Sequence, residues 1–290
     1  RGAELMSEIV LYKLDAAVLA AGSLAPTEGA SGITADASGN LYVSIQEGAA
    51  DLGIFKYVAD GSRTRYAPPT SGVLKWSSLK MGPGGEIYAA RNFRALYKYA
   101  AGGGTAAAVW VTFPVGVFAN DMDFDQNQNL WVGGNNSNLY RVKQDKTIKT
   151  FPFVGNVRSV RVYNGSLYVA AQVDTLNKIY VAPIIGDSLG ALSVYFDFSA
   201  VYPGSTVTPN ALTFSSDGYL YIGTVSPNGL IVVGPGGSSS SAPFVAYASL
   251  FSPAVRIFAW GSGDALYATT DAAKLLKIST RKTSAPYHGL

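Results

Sequence analysis

The chain has 290 residues, 48% of them hydrophobic and only 14% charged, which is enough apolar material for a large core and excludes an intrinsically disordered chain. The formal net charge of +3 comes with no Lys/Arg block, so no nucleic-acid partner is expected. Cysteine is absent, which excludes disulfides, thiol catalysis and thiolate metal sites, and no apolar run reaches the roughly 18 residues that a membrane-spanning helix requires.

The first predicted element is EIVLYKL at 8–14, whose alternation reads as a strand. A repeated unit follows. Residues 31–43, SGITADASGNLYV, place a short apolar strand, a polar turn and a second strand opened by an apolar-aromatic pair. The pattern returns at GEIYA, QNLWV, GSLYV, GYLYI and DALYA, so that Tyr42, Tyr88, Trp131, Tyr168, Tyr221 and Tyr267 form six anchors. Their spacing, mostly in the forties, is that of propeller blades, in which each small sheet buries its faces against its neighbours. Gly, Asn and Asp between the first two strands tolerate the positive φ of tight turns, which makes DASGN a turn and not a phosphate loop. Gly102 to Gly104 and the stretch GPGGSSSSAP at 234–243 read as hairpin tips, since neither has a P-loop Lys or a following helix.

Segments such as IFKYV, LYRV, KIYVAP and LIVV supply third strands, and TRYAP, AAVWVTF, IKTFPF, VYFDF and FVAYASL supply fourth ones. After the last anchor only KLLKIST (274–280) and a polar tail remain, so the last blade lacks a fourth strand of its own. The stretch at 8–14 is predicted to fill that place and close the ring. The expected fold is all-β: residues 1–290 as a single six-bladed β-propeller domain with four-stranded antiparallel blades.

The register predicts the central mouth. Stepping back from each anchor to the start of the innermost strand reaches Ser31, Ser77, Asn120, Arg158, Asn210 and Arg256, all polar. Loops after the second strands emerge at the same end and contribute Gln46, Glu47, Arg91, Asn92, Asn135, Asn136, Gln172, Asp174, Ser226 and Asp271. Three readings of this ring stand open. Polar residues solvate a wet channel; or Arg158 and Arg256, with Arg91 nearby, form a positive concavity for an anionic or sugar-like ligand, since guanidinium forks match carboxylate and phosphate oxygens; or oxygen donors hold a hard divalent cation. Trp76 and Phe93 near the mouth are suited to stacking on a sugar or to packing between blades. The only histidine, His288, sits in the polar tail, so a His-based triad is not expected, and Glu47, Asp121 and Asp174 are the mouth carboxylates that remain for acid-base work.

GITADASGNLYVS, NDMDFDQNQNLWVGG and PNALTFSSDGYLYIG resemble the blade repeats of the six-bladed propeller superfamily that includes gluconolactonase/SMP-30-like lactonases and NHL-repeat proteins. For the lactonases the resemblance implies a divalent metal such as Ca²⁺, held by a Glu before the first blade, an Asn and a later Asp, with an Asn-Asp pair on the substrate. Glu28 in TEGAS, Asn210 in PNAL and Asn120-Asp121 in ANDMDF match those positions, with Asp121 the candidate base. Where the metal-binding Asp is implied, this chain has Arg256, a charge that repels a cation.

The expectation from the sequence is therefore a non-catalytic binding or interaction module without a cofactor. It would take a partner protein or a small anionic or sugar-like ligand on Ser31, Ser77, Arg91, Asn120, Arg158, Asn210 and Arg256. The alternative is a metal-dependent lactonase using Glu28, Asn120, Asp121 and Asn210. Abundant Tyr, Ser, Thr and Gly with few charges predict an extracellular, periplasmic or cell-surface location.

Overall fold

The computed structural model describes residues 15–18, 27–153, 155–173, 176–201, 208–225, 229–237, 244–245 and 254–290. Each repeated unit forms one small antiparallel sheet, and six sheets stand around a central channel as a six-bladed β-propeller. Blade 1 comprises β2 (Glu28–Ala35), β3 (Leu41–Glu47), β4 (Ala50–Tyr57) and β5 (Arg63–Ala67); blade 2 comprises β6 (Ser78–Met81), β7 (Ile87–Ala90), β8 (Ala95–Tyr99) and β9 (Ala108–Thr112). Blade 3 is β10 (Ala119–Phe124), β11 (Leu130–Gly134), β12 (Asn138–Val142) and β13 (Ile148–Pro152). Blade 5 is β19 (Pro209–Phe214), β20 (Leu220–Thr224), β21 (Leu230–Val233) and the short β22 (Phe244–Val245).

Blade 4 departs from the expected four strands. It contains β14 (Asn156–Tyr163), β15 (Ser166–Val173) and the long β16 (Leu176–Ile185), and both β17 (Ser188–Leu189) and β18 (Ser193–Asp197) pair with β16. The ten-residue β16 has an outer edge long enough for both, with β17 on Ile184–Ile185 and β18 on Lys178–Val181. A single helical turn, α1 (Phe198–Val201), follows.

Blade 6 has β23 (Val255–Trp260), β24 (Ala265–Thr270) and β25 (Leu275–Ser279), and its fourth strand comes from the other end of the chain, β1 (Asp15–Val18). An N-terminal strand thus completes the last blade, with Asp15 opposite Ser279 and Val18 opposite Leu276. The segment at 8–14 predicted for this role lies outside the described residues. The inner strands touch one another in order around the channel, and β23 returns against β2.

The anchors lock each turn to its sheet. Asp36 Oδ1 accepts from the Ser38 and Asn40 amides, and its Oδ2 accepts from the Tyr42 hydroxyl at 3.0 Å. Asp125 repeats the arrangement on the Asn127 and Asn129 amides and on the Trp131 indole nitrogen at 2.8 Å. Gly39 stands at φ +80° in the first of these turns, a conformation that glycine adopts without steric cost. Trp76, Trp131, Tyr88 and Tyr221 are fully buried between blades, which accounts for the aromatic content of the repeat.

Candidate active site

A β-bulge near the start of the inner strand recurs in five of the blades. In blade 3 Ala119 faces Gly134 and Asp121 faces Gly133, so Asn120 is the extra residue. Arg158 is the extra residue between Val157 and Ser159, Asn210 between Pro209 and Ala211, and Arg256 between Val255 and Ile257. A bulged residue leaves the ladder and its side chain is re-aimed. Here the four side chains converge with Ser77 and Asp271 on one cavity of about 230 Å³ at the top of the channel, with Asn92 and Asn135 on its rim.

These residues also join the blades. Ser77 Oγ donates to the Asn120 carbonyl at 2.8 Å, Asn120 Nδ2 to the Arg158 carbonyl at 3.0 Å and Asn210 Nδ2 to the Val255 carbonyl at 2.8 Å. With their nitrogens spent on the next blade, Asn120 and Asn210 keep amide oxygens that take no hydrogen bond from the described residues. Arg256 reaches the Asp271 carboxylate at 2.5 Å, and the buried Arg158 Nε has no hydrogen-bond partner among the described residues.

Other predicted site residues are placed elsewhere. Ser31 is 3% exposed and bonded to the Ser44 hydroxyl, because the bulge of blade 1 turns it into the sheet. Arg91 is held by the Gly72 carbonyl and lies over the Phe93 and Tyr97 rings, at 4.5 and 5.3 Å from their centroids. Trp76 is fully buried and donates to the Tyr99 hydroxyl, so it offers no stacking face, whereas Phe93 is partly exposed beneath Arg91. Glu28 sits at the start of β2 in a 2.7 Å ion pair with Arg63 of the outer strand, away from the mouth residues. Glu47 accepts from Thr27 in an exposed loop. Asp121 borders the mouth, but its carboxylate is taken: Oδ1 accepts from Ser78 Oγ at 2.9 Å, and Oδ2 from Ser159 Oγ at 2.6 Å and Val160 N at 3.1 Å. It joins blades 2, 3 and 4 rather than facing a substrate. Asp174 and Ser226 lie outside the described residues.

Among the described residues no group of three or more His, Cys, Asp and Glu gathers as a metal site. The mouth nevertheless has a donor set whose chemistry suits a hard cation: the amide oxygens of Asn120 and Asn210 and the carboxylate of Asp271, all on one wall system. In the sequence Asp271 is one of the loop residues after a second strand, with no role marked for it. Its partnership with Arg256 was the missed signal, since a guanidinium at a central ring invites a carboxylate within reach.

No family model matches the chain, and no curated protein matches it. Solved structures do. A luciferin-regenerating enzyme superposes with a TM-score of 0.69 at 15% identity, over 95% of this chain and 99% of the other. Regucalcin from Agrobacterium tumefaciens, a calcium-binding protein, gives 0.67 at 16% identity over 96% and 99%, and a gluconolactonase from Xanthomonas campestris gives 0.66 at 13% identity over 90% and 87%. The fold is that of the gluconolactonase- and regucalcin-like six-bladed propellers. At these identities the likeness is one of fold.

Two expectations are corrected by these neighbours. The first is the non-catalytic binding module: the solved structures that match nearly the whole chain include a luciferin-regenerating enzyme and a gluconolactonase. Arg256, which stands where the resemblance implies a metal-binding Asp, is paired with the Asp271 carboxylate in the same mouth. The second is the absence of a cofactor, since a calcium-binding protein stands among the neighbours.

Proposed function

We propose that the protein is a divalent-cation-dependent hydrolase of lactone-like esters, acting at the central mouth. The observation that carries this reading is the pair of bulge-delivered asparagines, whose amide oxygens stand in the same cavity as Asp271. Asn120, Asn210 and Asp271 would hold the cation, with Asp271 exchanging its Arg256 partner for it. When bound, such a cation supplies Lewis acidity that polarises an ester carbonyl.

The chain's own residues bind and orient. Arg158 projects into the mouth from its bulge and offers a planar donor fork to the carboxylate or hydroxyl oxygens of an acidic-sugar lactone. Asn92 and Asn135 on the rim add amide groups suited to ring hydroxyls. A cavity of about 230 Å³ suits a single sugar-sized ring and not a polymer. An extracytoplasmic location remains part of the proposal, supported by the low charge and high Tyr and Ser content.

The test is a panel of aldonolactones and uronolactones followed in a pH-stat, with and without Ca²⁺, Mg²⁺, Mn²⁺ or Zn²⁺. Hydrolysis that is abolished by chelator, restored by one metal and lost in Asn210→Ala is the expected result. No turnover with any of the four ions, together with no calorimetric heat of metal binding, would overturn the reading.

A further inference from the structure

A second ring of side chains lies deeper in the channel. In the sheet ladders the anchors stand opposite Thr34, Lys80, Asp123, Arg161, Thr213 and Ala259. These six line a separate cavity of about 290 Å³ at the end of the inner strands opposite the mouth. Its walls include Phe214, Phe258, Trp260 and Tyr287, and its rim includes the exposed turn residues Ala37 and Ser262, so it reaches the surface of that face.

Three charged residues in this cavity are almost fully buried: Lys80 at 5%, Asp123 at 2% and Arg161 at 8% exposure. Lys80 forms no hydrogen bond and no ion pair with any described residue. Neither nearby carboxylate bonds to it, although both act on it through space. Asp123 Oδ2 accepts from the Val162 amide at 2.8 Å, its Oδ1 lies 3.5 Å from Arg161 Nη1 in an ion pair and takes no hydrogen bond from the described residues, and both oxygens of Asp121 serve Ser78, Ser159 and Val160. Arg161 itself spends Nε on the Leu212 carbonyl. Burial, with Arg161 close by, pushes the Lys80 amine down to about 8. The Lys80 ammonium opens onto the cavity without a protein acceptor, and a cation in so enclosed a place is costly unless solvent or a ligand completes it.

We propose that this lower cavity is a binding site for a small monocyclic aryl carboxylate, its carboxylate bridging Lys80 and Arg161 and its ring resting against Phe214, Phe258 and Trp260. A carboxylate presents acceptor lone pairs to both cations, and charge-assisted hydrogen bonds are the strong ones. The aromatic walls take the apolar body. An apolar cavity of about 150 Å³ holds benzene; one of about 290 Å³ has room for a ring with its acid group and little more.

The site is independent of the mouth, and its test separates the two. Benzoate and phenylacetate are titrated into the intact protein by calorimetry and thermal shift at pH 7, with benzyl alcohol as the uncharged control and Lys80→Met, Lys80→Arg and Arg158→Ala as variants. The expected result is binding of at least one acid, no binding of the alcohol, at least tenfold weaker binding in Lys80→Met, retention in Lys80→Arg and no change in Arg158→Ala. Failure of both acids to bind the wild type overturns the proposal. So does binding that survives Lys80→Met and disappears in Arg158→Ala, which would place the acid in the mouth. If Lys80→Met does not fold, a crystal soaked in phenylacetate decides, with density between Lys80 and Arg161 expected and its absence there refuting.

Discussion

Replacing Asp121 by Ala tests whether this carboxylate is a strut between blades or a participant in chemistry. The side chain is 7% exposed and receives three donors, from Ser78 in blade 2 and from Ser159 and Val160 in blade 4. Hydrogen bonds to a charged group contribute about 1.5–3 kcal/mol each, and a buried donor left unpaired costs about 1–3 kcal/mol. The two serine hydroxyls can rotate toward other acceptors, but the Val160 amide cannot, so one uncompensated bond sets a loss of about 1.5–3 kcal/mol. At about 2 °C per kcal/mol for a chain of this length, Tm should fall by about 3–6 °C. Differential scanning fluorimetry with tryptophan emission reads this directly, and Asn120→Ala, which removes one half-buried donor, should fall by no more than about 3 °C. A Tm drop under 2 °C for Asp121→Ala, accompanied by lost hydrolysis, would refute the structural role and return Asp121 to the reaction.

Three further outcomes are expected. Gly134→Ala places a methyl group against the Phe118 backbone carbonyl, which cannot rotate away, and should cost more than about 3 kcal/mol in chemical denaturation or yield insoluble protein. Tyr287 is half of a contact that ties the C-terminal stretch to blade 2, its hydroxyl donating to the Met81 carbonyl; Tyr287→Phe should lose about 1 kcal/mol and Tyr287→Ala about 3–5 kcal/mol by the same measurement. Because the folded Lys80 amine is lowered by burial to about 8, its charge opposes folding below that pH, and the penalty fades as pH rises toward the unfolded value of 10.5. Without added ligand, Lys80→Met should therefore be more stable than wild type at pH 7 by up to about 3 kcal/mol, with the gap narrowing toward pH 10; a pH-independent difference would argue against a buried charge.

The repeat determined the architecture without help from tertiary structure. Six aromatic anchors, each preceded by a turn rich in Gly, Asn and Asp, dictate six hairpins, and hairpins of this length bury both faces only by stacking radially. Local chemistry suffices here because turn and anchor are neighbours in the chain, as Asp36 with Tyr42 and Asp125 with Trp131 show. Closure by an N-terminal strand was legible from the missing fourth strand, although the strand described is Asp15–Val18 and the predicted stretch lies before it.

The register also reached most of the mouth, since Asn120, Arg158, Asn210 and Arg256 follow from counting back from the anchors. What counting could not supply was direction. A β-bulge turns those four inward but leaves Ser31 within its sheet, and bulge geometry depends on the pairing of two strands, not on one strand's residues. Partnerships across blades were equally hidden: Asp121 with Ser78 and Ser159, Glu28 with Arg63, Arg256 with Asp271. The lower ring of Lys80, Asp123 and Arg161 was present in the register all along as the residues facing the anchors, but their burial and the unmet ammonium of Lys80 exist only once six strands from distant parts of the chain enclose one channel. Local sequence sets turns and strands because its forces act between near neighbours, whereas desolvation and pairing of charge belong to the assembled interior.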